Sequence, residues 1–585
     1  MTQTEETTRT RGIIDFMPQE IDDFELQLKR FQAGEFDETD FQAFRLKQGV
    51  YGQRQLDAQM VRVKVPFGGL TAEQLDALGV FAEKYAPLNK GHVTTRENFQ
   101  YHHVKLEDTP AVMRLLGDVG LSTREACGNT VRNVTGCYLA GVCADEPFDV
   151  TPYAAAYTRY FVRHPYTQAL PRKLKTAFSG CARDCAITAI HDMGFLPKIE
   201  NGRKGFVVKT GGGTSIMPKI APTLYDFVPV EEYLKVTEAV IRIFHRSDEL
   251  RKNRMKARIK FLISRIGIDE FRKMVDEELK EPWAQRSFDP TSLLFIEDES
   301  LEAPPLDGYR TNGHVSEFDH WVETNVDPQK QNGYKVATLK LPLGDIQAEQ
   351  FHQIADLARK YAGGRARITH QQNISLRWVP EAALYELWEE LNRIGFGDAG
   401  HHEVTDVVSC PGTDSCKLGI TASMGLARAV GQTLEDMNIT DPLVRQMHVK
   451  MSGCPNGCGQ HHIADIGFHG AAAKAPGGQV PAYELFLGGS YEGGDARIGL
   501  RTRTKIPAKR VPEAIKRLIG FYQERRADGE LFKDFAARLG PAEFEPILQE
   551  LHDVGELNRD TIDEYIDWDK TVKYKLERGE GECAI

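Results

Sequence analysis

Residues 452-SGCPNGCGQHHIADIGF-468 have a counterpart earlier in the same chain, 179-SGCARDCAITAIHDMGF-195. Eight of the seventeen positions are identical, 273 residues apart. The likeness spreads outward from this turn. Residues 62-RVKVPFGGLTAEQLDALGVFAEKYA-86 match 338-TLKLPLGDIQAEQFHQIADLARKYA-362, and 93-VTTRENFQYHHV-104 match 368-ITHQQNISLRWV-379. Farther on, 205-GFVVKTGGG-213 match 482-AYELFLGGS-490. Landmarks recurring in one order at nearly constant offset mark an internal duplication.

Each half reads as α/β. An alternating strand around VRVKVPF leads through a glycine turn into an amphipathic helix over 71–86, with Thr71 as its N-cap. The Pro- and acid-rich stretch 285–330 reads as the linker between halves. A chain of 585 residues is too long for one core, so several domains are expected. The divisions are 1–45, an N-terminal helical extension; 46–115 and 331–395, two smaller half-repeats; 116–284 and 396–520, two larger α/β domains; and 521–585, a helical tail.

The net charge of −11 argues against a non-specific nucleic-acid binder. No long uncharged apolar run indicates a membrane span, and MTQTEETTRTRG has no apolar signal region, so a cytoplasmic location is expected. One basic segment, 242-RIFHRSDELRKNRMKARIK-260, has helical spacing. It reads either as a solvated face or as a contact for an anion or an acidic partner, through Arg254, Lys256 and Arg258.

Ten cysteines in such a protein point to metal or redox work. Cys410 and Cys416 are spaced C-x5-C, and Cys454 and Cys458 C-x3-C, both on Gly/Pro-rich turns. Zinc knuckles use tighter hairpins, and the wider turns suit an iron–sulfur cube. In the earlier copy Cys181 and Cys185 remain, but the C-P-G-x3-C frame is absent and Cys143 reads as displaced. Residues 179–195 are therefore expected to be a structural relic. A second cluster using Cys137 or Cys143 and a redox-sensing pair are the alternatives. Cys583 reads as a loose tail thiol.

C-P-G-x3-C followed by S-G-C-P-N-x-C resembles the siroheme-and-[4Fe–4S] signature of the sulfite and nitrite reductase family, over roughly residues 40–520. The resemblance implies pseudo-twofold halves, with ferredoxin-like half-repeats and two larger domains that bind siroheme and cluster. It implies that Cys410, Cys416, Cys454 and Cys458 hold a [4Fe–4S] cluster, with Cys458 also the axial ligand of siroheme. It places Arg62, Arg132, Lys173 and Lys175 at the oxyanion, the arginines as clamps and the lysines as proton donors. Arg96, Asn133, Arg172, Gly212 and Gly489 are candidate siroheme contacts. P-R-K-x-K at 171–175, and the Tyr51 and Cys127 of GVYGQRQ and EACG, resemble ferredoxin-type sulfite reductases in which that Tyr–Cys pair is covalently joined. The expected reaction is the six-electron reduction of sulfite to sulfide, with nitrite to ammonia as the alternative and a zinc-stabilised, non-redox binding protein as a second. No flavin or nicotinamide fingerprint is present, so electrons are expected from ferredoxin or a separate flavoprotein, delivered to a monomer.

Overall fold

The computed structural model describes residues 12–286, 289–310, 315–579 and 581–582. The leader sequence and Cys583 lie outside the described residues. No helix among the described residues is long and apolar enough to cross a membrane.

The described residues form four five-stranded sheets, two per half. In the first smaller sheet, the strands Val50–Gly52, Gln59–Val63, Phe99–Val104 and Lys90–Val93 are completed by Asp345–Gln347 of the other half. In its twin, Val326–Pro328, Tyr334–Leu339, Ile374–Pro380 and Arg365–Ile368 are completed by Gly69–Thr71 of the first half. The halves thus exchange an edge strand reciprocally, pairing Asp345 with His92 and Arg367 with Gly69. The helix after each exchanged strand starts as the sequence predicts. Thr71 caps Ala72–Tyr85 in a box with Gln74, and Gln347 and Gln350 do the same for Ala348–Tyr361. These two helices bury their apolar faces against each other in one core that joins both smaller domains, through Leu75, Leu78, Phe351 and Ile354.

The larger sheets repeat one another strand for strand. Val131–Gly136, Leu174–Phe178 and Met193–Glu200 are parallel neighbours, continued antiparallel by Arg203–Thr210 and Thr223–Pro229. Val408–Ser409, Val449–Ser452 and Ile466–Ala475 follow the same plan, continued by Gly478–Leu487 and Leu500–Pro507. Adjacent parallel strands end at one edge of a sheet. The cysteine turns follow those ends, so sequence-distant cysteine pairs are brought together in each half.

The segment 285–330 is more than a tether. It contains the helix Ser316–Asn325, and strand Val326–Pro328 already belongs to the second half. Its Glu299 bridges two buried arginines, accepting from Arg367 Nη2 at 3.1 Å and pairing with Arg377. The basic stretch 242–260 is not one helix. It breaks into Tyr233–His245, Asp248–Arg251, the turn Arg254–Lys256, and Ile259–Ile266.

Burial opposes the charge of Glu299, but Arg377 and Arg367 outweigh it and hold the carboxyl at about 2, against 4.5 ordinarily. Its stabilising contribution is therefore complete above the ordinary carboxylate range and is lost as pH falls toward 2. Glu299→Ala would leave two buried guanidinium groups without their carboxylate and is expected to cost about 3 kcal/mol at neutral pH. Urea unfolding of wild type and variant at pH 7 and pH 3 checks this: the difference should be large at the first and smaller at the second.

Candidate active site

The four C-terminal cysteines open onto a cavity of about 230 Å³. Cys410, Cys416, Cys454 and Cys458 line one side, and the other is supplied by the first half, with Tyr51, Arg62, Arg132, Arg172, Lys173 and Lys175. Arg254, Arg258 and Lys260 complete a cationic wall, whereas Lys256 is not among the lining residues.

The cysteine loops pack backbone on backbone. A Cβ at Gly453 would lie 2.5 Å from Gly412 Cα, and one at Gly412 would lie 2.6 Å from Thr421 O. With no side chain there, backbone amides reach the sulfurs. Gly412 and Gly453 donate to Cys410, Leu418 and Gly419 to Cys416, and Asn456 to Cys454. Burial pushes Cys410 up to about 12 and raises Cys416 and Cys454 above the ordinary thiol range, with the Cys458 thiolate adding to it. A bound cationic centre reverses that balance by replacing protons. Amide donors, four thiols and an adjoining basic cavity are what a [4Fe–4S] cluster beside a polycarboxylate macrocycle requires, so the residues fit both groups. They do not fit a single zinc ion. Among the described residues, the ligand atoms that gather three together within 4.8 Å belong to His402, His448 and Glu492, not to any cysteines.

The first half also braces the cluster turn. Thr95 Oγ1 donates to Cys458 O at 2.8 Å, and Ser215 Oγ donates to Asn456 Oδ1 at 3.3 Å. Arg54 donates to the carbonyls of Cys416 at 3.3 Å and Gly419 at 2.7 Å. Lys260, drawn down to about 7 by burial, donates to Thr214 O and Met217 O at 2.9 Å each.

Arg132 is held by the carbonyls of Gly128 and Ala126, at 2.9 and 2.8 Å, and Arg62 donates to Ala126 O at 3.1 Å and Cys127 Sγ at 3.3 Å. Lys175 lies well below the ordinary lysine range, first because burial strips water from its ammonium, then because Arg96, Arg258 and Lys173 repel it. Cys127 is buried in an apolar group with Leu46, Met60 and Tyr51.

Four of the expected siroheme contacts are not among the cavity-lining residues and are engaged elsewhere. Arg96 is half-buried, donates to Asn133 O at 2.7 Å and pairs with His191. Asn133 Nδ2 donates to Val65 O at 2.7 Å. Gly212 is glycine because a Cβ would meet Ala189 O at 2.5 Å, and Gly489 because one would meet Ala464 O at 2.7 Å. Arg258 lines the cavity but is tied to Asp192 at 2.7 Å.

Sequence reasoning assigned no role to the tail, which closes one side of this site. Gly581 lines the cavity. Glu582 accepts from Arg45 Nη1 and Nη2 at 2.8 and 2.9 Å, from Gly52 N at 2.8 Å and from Lys417 Nζ at 2.8 Å. Its own N–H donates to Tyr51 Oη at 2.9 Å. Arg54, within the quoted GVYGQRQ, was the legible clue: it also donates to Glu577 O at 2.9 Å.

Family models match the chain in both halves. The nitrite and sulphite reductase 4Fe-4S domain covers 127–283 and 400–553, and the nitrite/sulfite reductase ferredoxin-like half domain covers 51–119 and 327–394. The ferredoxin–nitrite reductase of Synechococcus elongatus is 32% identical over 469 residues, 79% of this chain and 85% of that protein. The sulfite reductase [ferredoxin] of Mycobacterium tuberculosis is 32% identical over 488 residues, 82% of each. The solved structure of the Mycobacterium tuberculosis NirA protein superposes with a TM-score of 0.74 at 29% identity, covering 87% of this chain and 92% of that one.

Glu582→Ala would deprive the half-buried Arg45 of its carboxylate and release the tail from Tyr51. The expected outcome is faster loss of bound macrocycle and faster proteolysis near the C-terminus. Soret absorbance per protein after dialysis and a limited trypsin time course check it, with Glu582→Gln losing less.

Proposed function

We propose that this chain, which belongs to the nitrite and sulphite reductase family, reduces sulfite to sulfide with ferredoxin as the electron donor. Its cofactors are siroheme and a [4Fe–4S] cluster. When bound, these would relay the electrons of ferredoxin and supply the iron at which the anion is reduced. Cys410, Cys416, Cys454 and Cys458 would hold the cluster, and Cys458 would also hold siroheme.

The observation that carries the reading is the meeting of cations from one half with cysteines from the other around one cavity. In it, Arg62 and Arg132 hold the oxyanion by N–H donors fixed through their own backbone contacts. Lys173 and Lys175 deliver protons to the oxygens that leave as water. Burial favours that transfer, because a lysine stripped of water gives up its proton readily.

Sulfite rather than nitrite is supported by Lys175 in the P-R-K-x-K pattern and by the packing of Tyr51 with Cys127. A covalent Tyr51–Cys127 bond, formed with dioxygen as the two-electron oxidant that takes up the two hydrogens, belongs to the same proposal and would leave the protein lighter by two hydrogens in an intact mass spectrum. The competing reading is ferredoxin-dependent nitrite reduction on the same scaffold, which the Synechococcus elongatus relative favours. The protein is further proposed to act as a cytoplasmic monomer.

The test is turnover of holoenzyme with reduced ferredoxin, comparing kcat/KM for the two anions. A higher value for sulfite is expected, and a strong nitrite preference overturns the assignment. Lys175→Asn is expected to move the sulfite-to-nitrite ratio about tenfold toward nitrite, a difference of about 1.4 kcal/mol.

A further inference from the structure

The first-half cysteine turn is not half a site. Its four cysteines, Cys137, Cys143, Cys181 and Cys185, stand 273 residues before Cys410, Cys416, Cys454 and Cys458, each in register. The C-x5-C and C-x3-C spacings and the interval between them are all kept. The expectation of a relic came from the missing Pro-Gly after the first cysteine, which obscured this identity of spacing.

The fold brings the four together as it does the other set. Cys137 follows Gly136, which pairs with Phe178 on the adjacent parallel strand, just before the Cys181 turn. Cys137 lies beside Cys185, Cys185 beside Cys181, and Cys181 beside Cys143. All four thiols are free of disulfides, and Cys137, Cys143 and Cys181 are buried.

The amide donors are duplicated too. Leu139 and Gly180 donate to Cys137, Asp145 to Cys143 and Arg183 to Cys181. Each stands 273 residues before a donor of the second set: Gly412, Gly453, Leu418 and Asn456. Arg183 adds a charged donor, 3.4 Å from Cys143 Sγ.

The backbone of the turn is preserved at a cost. Gly457 and Gln460 are left-handed, with φ of 68° and 64°. Their counterparts Asp184 and Ile187 keep φ of 55° and 53° without glycine. A β-branched residue in that region costs about 1–2 kcal/mol. A turn with no ligand to hold has no evident reason to retain it.

We propose that Cys137, Cys143, Cys181 and Cys185 bind a second [4Fe–4S] cluster. The C-x5-C and C-x3-C turns are wider than the hairpins of zinc sites and, with the duplicated amide donors, repeat those of Cys410, Cys416, Cys454 and Cys458. The inference rests on the cysteine geometry and does not depend on which anion the enzyme prefers.

The test is the composition of holoenzyme, purified anaerobically from cells that make siroheme. Iron and acid-labile sulfide, measured per siroheme, should give about eight cluster irons and about eight sulfides. About four of each overturns the proposal, whether or not zinc or a disulfide is found in their place. In the double variant Cys137→Ala/Cys181→Ala, cluster iron should fall by half while siroheme content and its spectrum stay unchanged. Unchanged iron in that variant also overturns it. Should the variant fail to fold, the wild-type ratio still decides.

Discussion

Everything at the site depends on the reciprocal exchange of edge strands between halves. Gly69–Thr71 and Asp345–Gln347 each complete the sheet of the other half. Backbone hydrogen bonds and a shared core of paired helices then fix the halves as a unit. That rigidity matters because neither half contains the site. The cations come from residues 62–260 and the cavity-lining cysteines from 410–458. If the halves slid, Thr95 would lose Cys458 and Arg54 would lose the Cys416 loop. Thr95 makes its contact through a short side chain, and the Arg54 backbone N–H also donates to Ser415 O at 2.9 Å, so both places tolerate little displacement.

The exchange also shapes the electrostatics. Burying several cations on one wall is expensive, and the depressed positions of Lys175, Lys260 and Arg96 express that cost. Much of it is met inside the protein, by Asp192 on Arg258 and by carbonyls on Arg132 and Lys260. The remainder is a standing affinity for anions, which polycarboxylate cofactor and oxyanion substrate both satisfy. Such preorganised charge needs no rearrangement when the anion arrives.

The duplication, the Thr71 cap, the α/β class and the cavity-lining Arg62, Arg132, Lys173, Lys175 and four cysteines were legible in the sequence, because spacing and residue chemistry report them directly. The strand exchange was not, since pattern identifies a strand but not its partner. The uninterrupted helix expected over 242–260 failed because charge spacing is kept even where Asn253 caps a turn and ends the run. Arg96 and Asn133 illustrate another limit. Polar residues in conspicuous motifs were expected at the macrocycle, but they donate to backbone carbonyls of the first half, Asn133 O and Val65 O. The role of Glu582 was invisible because its partners Arg45, Gly52 and Lys417 are scattered along the chain.

Duplication makes every site in this fold a pair, and the two members have diverged in complementary ways. Positions equivalent to Arg62, Arg132, Lys173 and Lys175 in the second half are Thr338, Thr405, Gln446 and His448. The cations have gone from the half whose cysteines face the cavity and remain in the half that faces those cysteines. The first-half cysteines meet different surroundings. Tyr138, which senses the charge of Cys185 and Cys137, lies against His401 and His402 at ring distances of 6.4 and 6.5 Å. His402 in turn lies 6.2 Å from His448, and burial keeps His402 neutral. Aromatic and imidazole rings stand where the other member of the pair has arginines and lysines. A metal centre in the first half would therefore lack an adjoining anion pocket, leaving it suited to holding electrons rather than reducing a substrate. The chain has kept one chemical centre open and filled the other, and the choice follows from which wall retained its charge.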